Sequence, residues 1–144
     1  MPADGDFEPI RITEIITAEI GTPRGDGTAG SGLYRVPFRL SRAPTRKWAA
    51  VFIEAWNHPP RFTTMHRPGI ASIVGDKVIL DGTTREEVDK YHKDTLILAA
   101  DEANKKYVQL LEQQKAAEER EAKRIEEHRR NVEEKAKRID FHKD

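Results

Sequence analysis

His58 and His66, set close to Trp56 and Phe62, are the nearest approach to a metal or acid–base cluster in the chain. Two imidazoles could share a metal ion or pass a proton near neutral pH. A zinc site, however, draws three or four ligands from short, repeated spacings. His58-x7-His66 is no such spacing, and Glu54 is the sole nearby carboxylate. Both are therefore expected to be surface or loop histidines, and no metal is expected. His92, beside Tyr91, reads as a boundary residue of a helix, and His128 and His142 belong to a solvated tail.

The stretch Gly21 to Gly32 holds five glycines. A glycine-rich loop can cradle phosphate, but this one lacks the lysine and the following helix that such a site needs. It reads as a mobile hairpin loop, and Arg24-Gly25-Asp26 within it as chance. No Ser-His-acid set stands in a nucleophile-elbow context, and there is no H-E-x-x-H motif or paired-carboxylate loop. Neither catalytic residues nor a cofactor are expected, and catalysis by this chain alone is not the reading taken.

A basic stretch carries more information. Arg35, Arg39, Arg42, Arg46, Lys47, Arg61 and Arg67 stand against a single acid, Glu54, with Trp56 and Phe62 as aromatics for stacking. Basic and aromatic groups interleaved on a sheet suit single-stranded nucleic acid. The plainer account is that these arginines pair with Asp and Glu from the helix. No RNP-type or helix-turn-helix signature supports the first account.

These residues must be positioned by a small chain: 144 residues allow one domain with an appendage. Charged residues make up 35%, and they are unevenly spread. From Thr84 onward there are 15 Lys/Arg and 16 Asp/Glu, which leaves 10 and 9 for the first 83 residues. Net charge is zero, so no global pull toward nucleic acid or acidic lipid exists. Cysteine is absent, which excludes disulfides and thiolate chemistry. The acidic N-terminus lacks an apolar leader core, and no apolar run approaches a membrane span. A cytoplasmic chain with no membrane contact is expected.

Five strands are predicted. Residues 10–20 alternate apolar and polar, with Glu14 interrupting the apolar face. Residues 33–42 place Tyr34, Val36, Phe38 and Leu40 on one side, and Pro37 suggests an edge or a bulge. Residues 48–56, apolar on both faces except at Glu54, suit a central covered strand. Residues 71–74 and 77–81 form a hairpin about Gly75-Asp76, with a type II′ or I′ turn, and Asp81-Gly82 closes the sheet.

A helix opens at Thr84, with Glu87 completing a capping box; Thr83 with Glu86 fits the same pattern. No proline or glycine stands between there and Ile139. Val88, Tyr91, Leu96, Ala99, Ala103, Tyr107 and Leu110/Leu111 form one apolar stripe that fades after Leu111. Roughly 56 helical residues make a rod of about 84 Å, whereas a domain of this size is only about 35 Å across. The helix must therefore leave the domain near Leu111.

Eight opposite-charge i,i+4 pairs between Lys115 and Arg138 could sustain the free part without tertiary contact. Leu111, Glu118, Ile125, Val132 and Ile139 also stand seven apart, a coiled-coil spacing weakened by Glu118, Lys115 and Arg129. The expected fold is α+β: a small antiparallel sheet of about five strands packed on the first half of one long C-terminal helix, whose charged second half projects. Residues 1–9 are a flexible start, 10–111 the domain and 112–144 the extension. The expected role is a protein-interaction or assembly module, with another protein or a second copy held at Leu111, Ile125, Val132 and Ile139. The alternatives are a nucleic-acid-binding accessory protein and a subunit of a larger enzyme or a phage- or defence-type assembly.

Overall fold

The computed structural model describes residues 7–28, 30–59 and 66–141. Its elements run β1 (Ile12–Ile15), a 3₁₀ turn (Thr17–Glu19), β2 (Tyr34–Leu40), α1 (Arg46–Asn57), β3 (Ala71–Val74), β4 (Lys77–Thr83), α2 (Arg85–Glu87), a π turn (Val88–His92) and α3 (Lys93–Lys137). The four strands form one antiparallel sheet in the order β1-β2-β4-β3. The fold is α+β with a long C-terminal helix, as expected, but with four strands.

The missing strand is a helix. Residues 48–56, expected as a central strand, belong to α1. Thr45 caps it, its hydroxyl accepting from the Trp48 amide at 3.2 Å. Trp48, Phe52, Ala55 and Trp56 are buried along one face at helical spacing. A run apolar on all sides fits a buried strand and a buried helix equally, and here the cap and the 4-3-1 spacing decide.

Residues 10–20 also yield less strand than expected. Ile12 pairs with Leu40 and Glu14 with Arg39, so a bulge lies between them. That bulge turns Thr13 and Glu14 outward together and returns Ile15 to the inner side. It explains the acid that broke the alternation.

Pro37 does not mark an edge strand, because β2 lies between β1 and β4. Its carbonyl accepts from the Ile16 amide at 3.0 Å, so its missing N–H faces the side where β1 has already ended. The hairpin turn has Gly75 at φ 61° and no positive φ at Asp76, which is the II′ form. β4 runs on past Asp81, through Gly82 at φ 117°, to Thr83. Tyr34 faces Thr83 while Arg35 faces Asp81, so Gly82 is a bulge residue that turns Thr83 into the interior.

The core is one layer of side chains between the sheet and two helices. Val36, Phe38, Leu40, Val78 and Leu80 meet Trp48, Phe52 and Trp56 of α1 and Leu96, Ala99, Ala100 and Ala103 of α3. The helices run antiparallel, with Trp48 of the first turn of α1 at Asn104 and Trp56 near its end against His92. Three alanines on α3 leave room for the two tryptophans. Asn104 ties this together: its Oδ1 accepts from the Trp48 indole and from the Ile10 amide, both at 2.9 Å. Its Nδ2 donates to the Ile10 carbonyl at 2.9 Å.

Thr84 is the N-cap of α2, its Oγ1 accepting from the Glu87 amide at 3.1 Å. The helical backbone then continues through the π turn without a break to Arg138.

Candidate functional site

The projecting helix is built from residues with little core to reach. Ala103 is the last fully buried residue of α3, and Tyr107 is half-buried, packed on Phe7 with ring centroids 4.8 Å apart. Lys47 reaches Gln114 from α1 at 3.5 Å. Leu111 is half-buried at this margin. Beyond it, Ile125 is 52% exposed and Val132 51% exposed. These are two β-branched apolar residues, one heptad apart on one helix face and each about half exposed. Ile139 is 57% exposed, but α3 ends at Lys137, so it follows the helix rather than extending its face.

Exposed ion pairs line this segment, in a different pattern from the one expected. Of the eight i,i+4 pairs, Glu126–Arg130 is closed, at 3.4 Å. The other ion pairs along this stretch among the described residues are i,i+3: Glu121–Arg124 and Glu126–Arg129, the latter at 2.7 Å. Long guanidinium side chains reach a carboxylate on either neighbouring turn, so the choice between them is local.

The basic residues do not converge. Arg35 and Arg39 stand on the outer face of the sheet, while Arg46 and Lys47 occupy the first turn of α1 in the opposite layer. Arg39 is held by Glu14 at 3.3 Å and Asp76 at 3.1 Å. Arg42 donates to the Glu8 carbonyl and lies over the Phe7 ring. Trp56, expected to stack on a base, has no exposed surface because it faces the core from α1. Arg61 and Phe62 lie outside the described residues. Among the described residues of this set, Arg67 alone pairs with an acid of the C-terminal helical stretch, Glu87.

That pair belongs to a buried polar cluster. The Glu87 carboxylate accepts from Arg67 Nε at 2.8 Å and Nη2 at 2.9 Å, and from the Thr83 hydroxyl at 2.9 Å. His92, without exposed surface, brings Nε2 to 3.5 Å from the same carboxylate. Neither ring nitrogen of His92 makes a hydrogen bond among the described residues, so its approach to Glu87 is electrostatic. His66 packs on Trp56, ring centroids 4.7 Å apart, and edge-on toward His92 at 6.5 Å. The His66 Nε2 lies 2.7 Å from the Trp56 carbonyl, which can only accept, so that nitrogen carries the proton. The Trp56 indole in turn donates to the Arg67 carbonyl at 3.0 Å.

Burial holds both histidines below the ordinary imidazole value, with Glu87 opposing this at His92 and the Trp56 carbonyl opposing it at His66. Arg67 holds Glu87 below the usual carboxylate range against the effect of burial. The histidine pair is thus His66 with His92, whereas His58 sits exposed at the C-cap of α1. His92 was readable as part of the apolar stripe, four residues from both Val88 and Leu96. Glu87 reads from sequence only as a cap. Among the described residues, no group of three or more His, Cys, Asp or Glu could hold a metal ion.

A cleft of about 440 Å³ opens elsewhere, between β1 and the start of the long helix. Its floor is Ile12, Ile15, Phe38, Val88, Leu96 and Ile97, and Glu14, Arg85, Asp89 and Lys93 line it with opposite charges. Among the described residues, no helix is long and apolar enough to cross a membrane. Comparison with protein-family profiles, curated proteins and solved structures finds no match to this chain.

Proposed function

We propose that this chain is a non-enzymatic interaction module. The α+β head anchors one end of a helical rod, and the rod presents Leu111, Ile125 and Val132, followed by Ile139, to a protein partner. The observation that carries this reading is the pair Ile125 and Val132, each about half exposed and seven residues apart on a helix that has already left its own core. A helix whose only task was to complete the domain would end near Leu111. The boundary between head and rod at that residue is part of the proposal.

The test is association of the full chain against an Ile125→Glu/Val132→Glu variant, with purified protein and with native extract. Loss of a stable complex in the variant, with the fold retained, supports the reading. Identical complexes for both proteins would overturn it.

A further inference from the structure

The rod's flanking charges carry information about the partner, and this inference rests on the rod being the contact surface. At about 100° per residue, Ile125 and Val132 mark the seam, and Ala122, Arg129 and Ala136 fill the companion positions beside it. Along one edge of the seam run Glu119, Glu126 and Glu133, seven apart. The opposite edge, Glu121, His128 and Lys135, is mixed.

This arrangement is unfavourable for pairing with a second copy in either direction. In an antiparallel pair, the row of Glu119, Glu126 and Glu133 would face its own image. In a parallel pair, Arg129 would meet Arg129 inside the seam, and Glu126 would face Glu121. Glu126 is partly satisfied by Arg129 and Arg130, but these are exposed pairs that exchange readily for a better partner. Among the described residues, Glu119 makes no close ion pair on its own helix, and Glu133 is drawn to Arg129 only at longer range.

We infer that the rod's partner is a different chain: an amphipathic helix with an apolar seam and a lysine- or arginine-bearing row, seven apart, set against Glu119, Glu126 and Glu133. The row would select the partner and the seam would hold it.

Two four-heptad peptides with the same Ile/Leu seam test this, one with Lys and one with Glu at every position flanking the seam. Each repels its own copies and stays a single helix-forming strand. Titrated into the full-length protein at low salt, the Lys peptide is expected to bind at least about 10-fold more tightly, and that margin is expected to narrow at high salt. Glu119→Lys/Glu126→Lys/Glu133→Lys is expected to reverse the preference, and Ile125→Glu/Val132→Glu to abolish binding of both. Equal binding of the two peptides overturns the charge selection and leaves the rod as a contact surface. A dimer in light scattering that Ile125→Glu/Val132→Glu dissolves overturns it in favour of self-association. A monomer that binds neither peptide overturns both this inference and the interaction reading beneath it.

Discussion

Arg67 and Glu87, twenty residues apart, meet through two parallel charge-assisted hydrogen bonds of 2.8 and 2.9 Å. The pair joins the segment before β3 to the first turn of the long helix. The Thr83 hydroxyl and His92 converge on the same carboxylate. Removing the carboxylate strands a guanidinium and a buried hydroxyl at once. Glu87→Ala is therefore expected to cost about 2–3 kcal/mol, since lost hydrogen bonds to charged groups and unsatisfied partners both count. Urea denaturation measures this. A double-mutant cycle with Arg67→Ala is expected to give a coupling of about 1–2 kcal/mol. Additive losses would show that the two side chains act separately.

The same cluster gives stability a pH dependence with a definite sign. His66 and His92 are held below the ordinary imidazole value in the folded chain, chiefly by burial. Below about pH 6.5 the unfolded chain therefore binds protons that the folded chain does not yet accept. Stability is expected to be full above that pH and to fall as pH drops below it. Glu87, held low mainly by Arg67, adds a second loss at more acidic pH, as it is forced to protonate. Urea midpoints at pH 7.5 and 5.5 check the first effect, and His92→Gln is expected to flatten it. Equal midpoints in the parent protein would contradict it.

Asn104 supplies three hydrogen bonds to the core margin, linking Ile10, Trp48 and α3. Asn104→Ala leaves the Trp48 indole and the Ile10 amide and carbonyl without partners. The expected loss is about 2–4 kcal/mol, read in thermal melts and in a shifted tryptophan emission. Asn104→Asp retains the acceptor and loses the donor, so it is expected to fall between the two. An alanine variant as stable as the parent would show that water replaces the amide at no cost.

Deleting residues 115–144 removes helix but little packing, because Ala103 is the last fully buried residue of α3. The helical circular-dichroism signal is expected to drop while the melting midpoint stays within a few degrees of the parent. A fall of about 10 °C or more would mean that the rod supports the head.

Strands with a clean period and a glycine turn were legible from residues alone. Val36, Phe38 and Leu40 alternate, and Gly75-Asp76 closes its hairpin as the sequence indicates. Residues 48–56 misled, because tryptophan, phenylalanine and valine favour strands and the run offers no polar face to set a period. Thr45 after Pro44 was the overlooked start signal. The long helix was readable, since it follows from the capping box at Thr84 and the absence of proline and glycine beyond it. The polar cluster was not. Arg67, Glu87 and His92 each have an ordinary local explanation, and only the fold lays the segment before β3 against α2 and the π turn.

The π turn at Val88–His92 sets more than the local backbone. One residue added to or removed from an unbroken helix rotates everything beyond it by about 100°. Because the helical backbone runs on from Arg85 to Lys137, a single-residue deletion that converted this turn to regular α-helix would rotate the Leu96–Ala103 face and the distant Ile125–Val132 line together, relative to the Thr84 cap and Glu87. The Leu96–Ala103 face is packed in the core and Glu87 is held by Arg67, so neither side of the turn can give way freely. The π turn thus works as the indexing notch of the molecule, and length changes between it and Gln114 should be rarer than in the segment beyond Lys137.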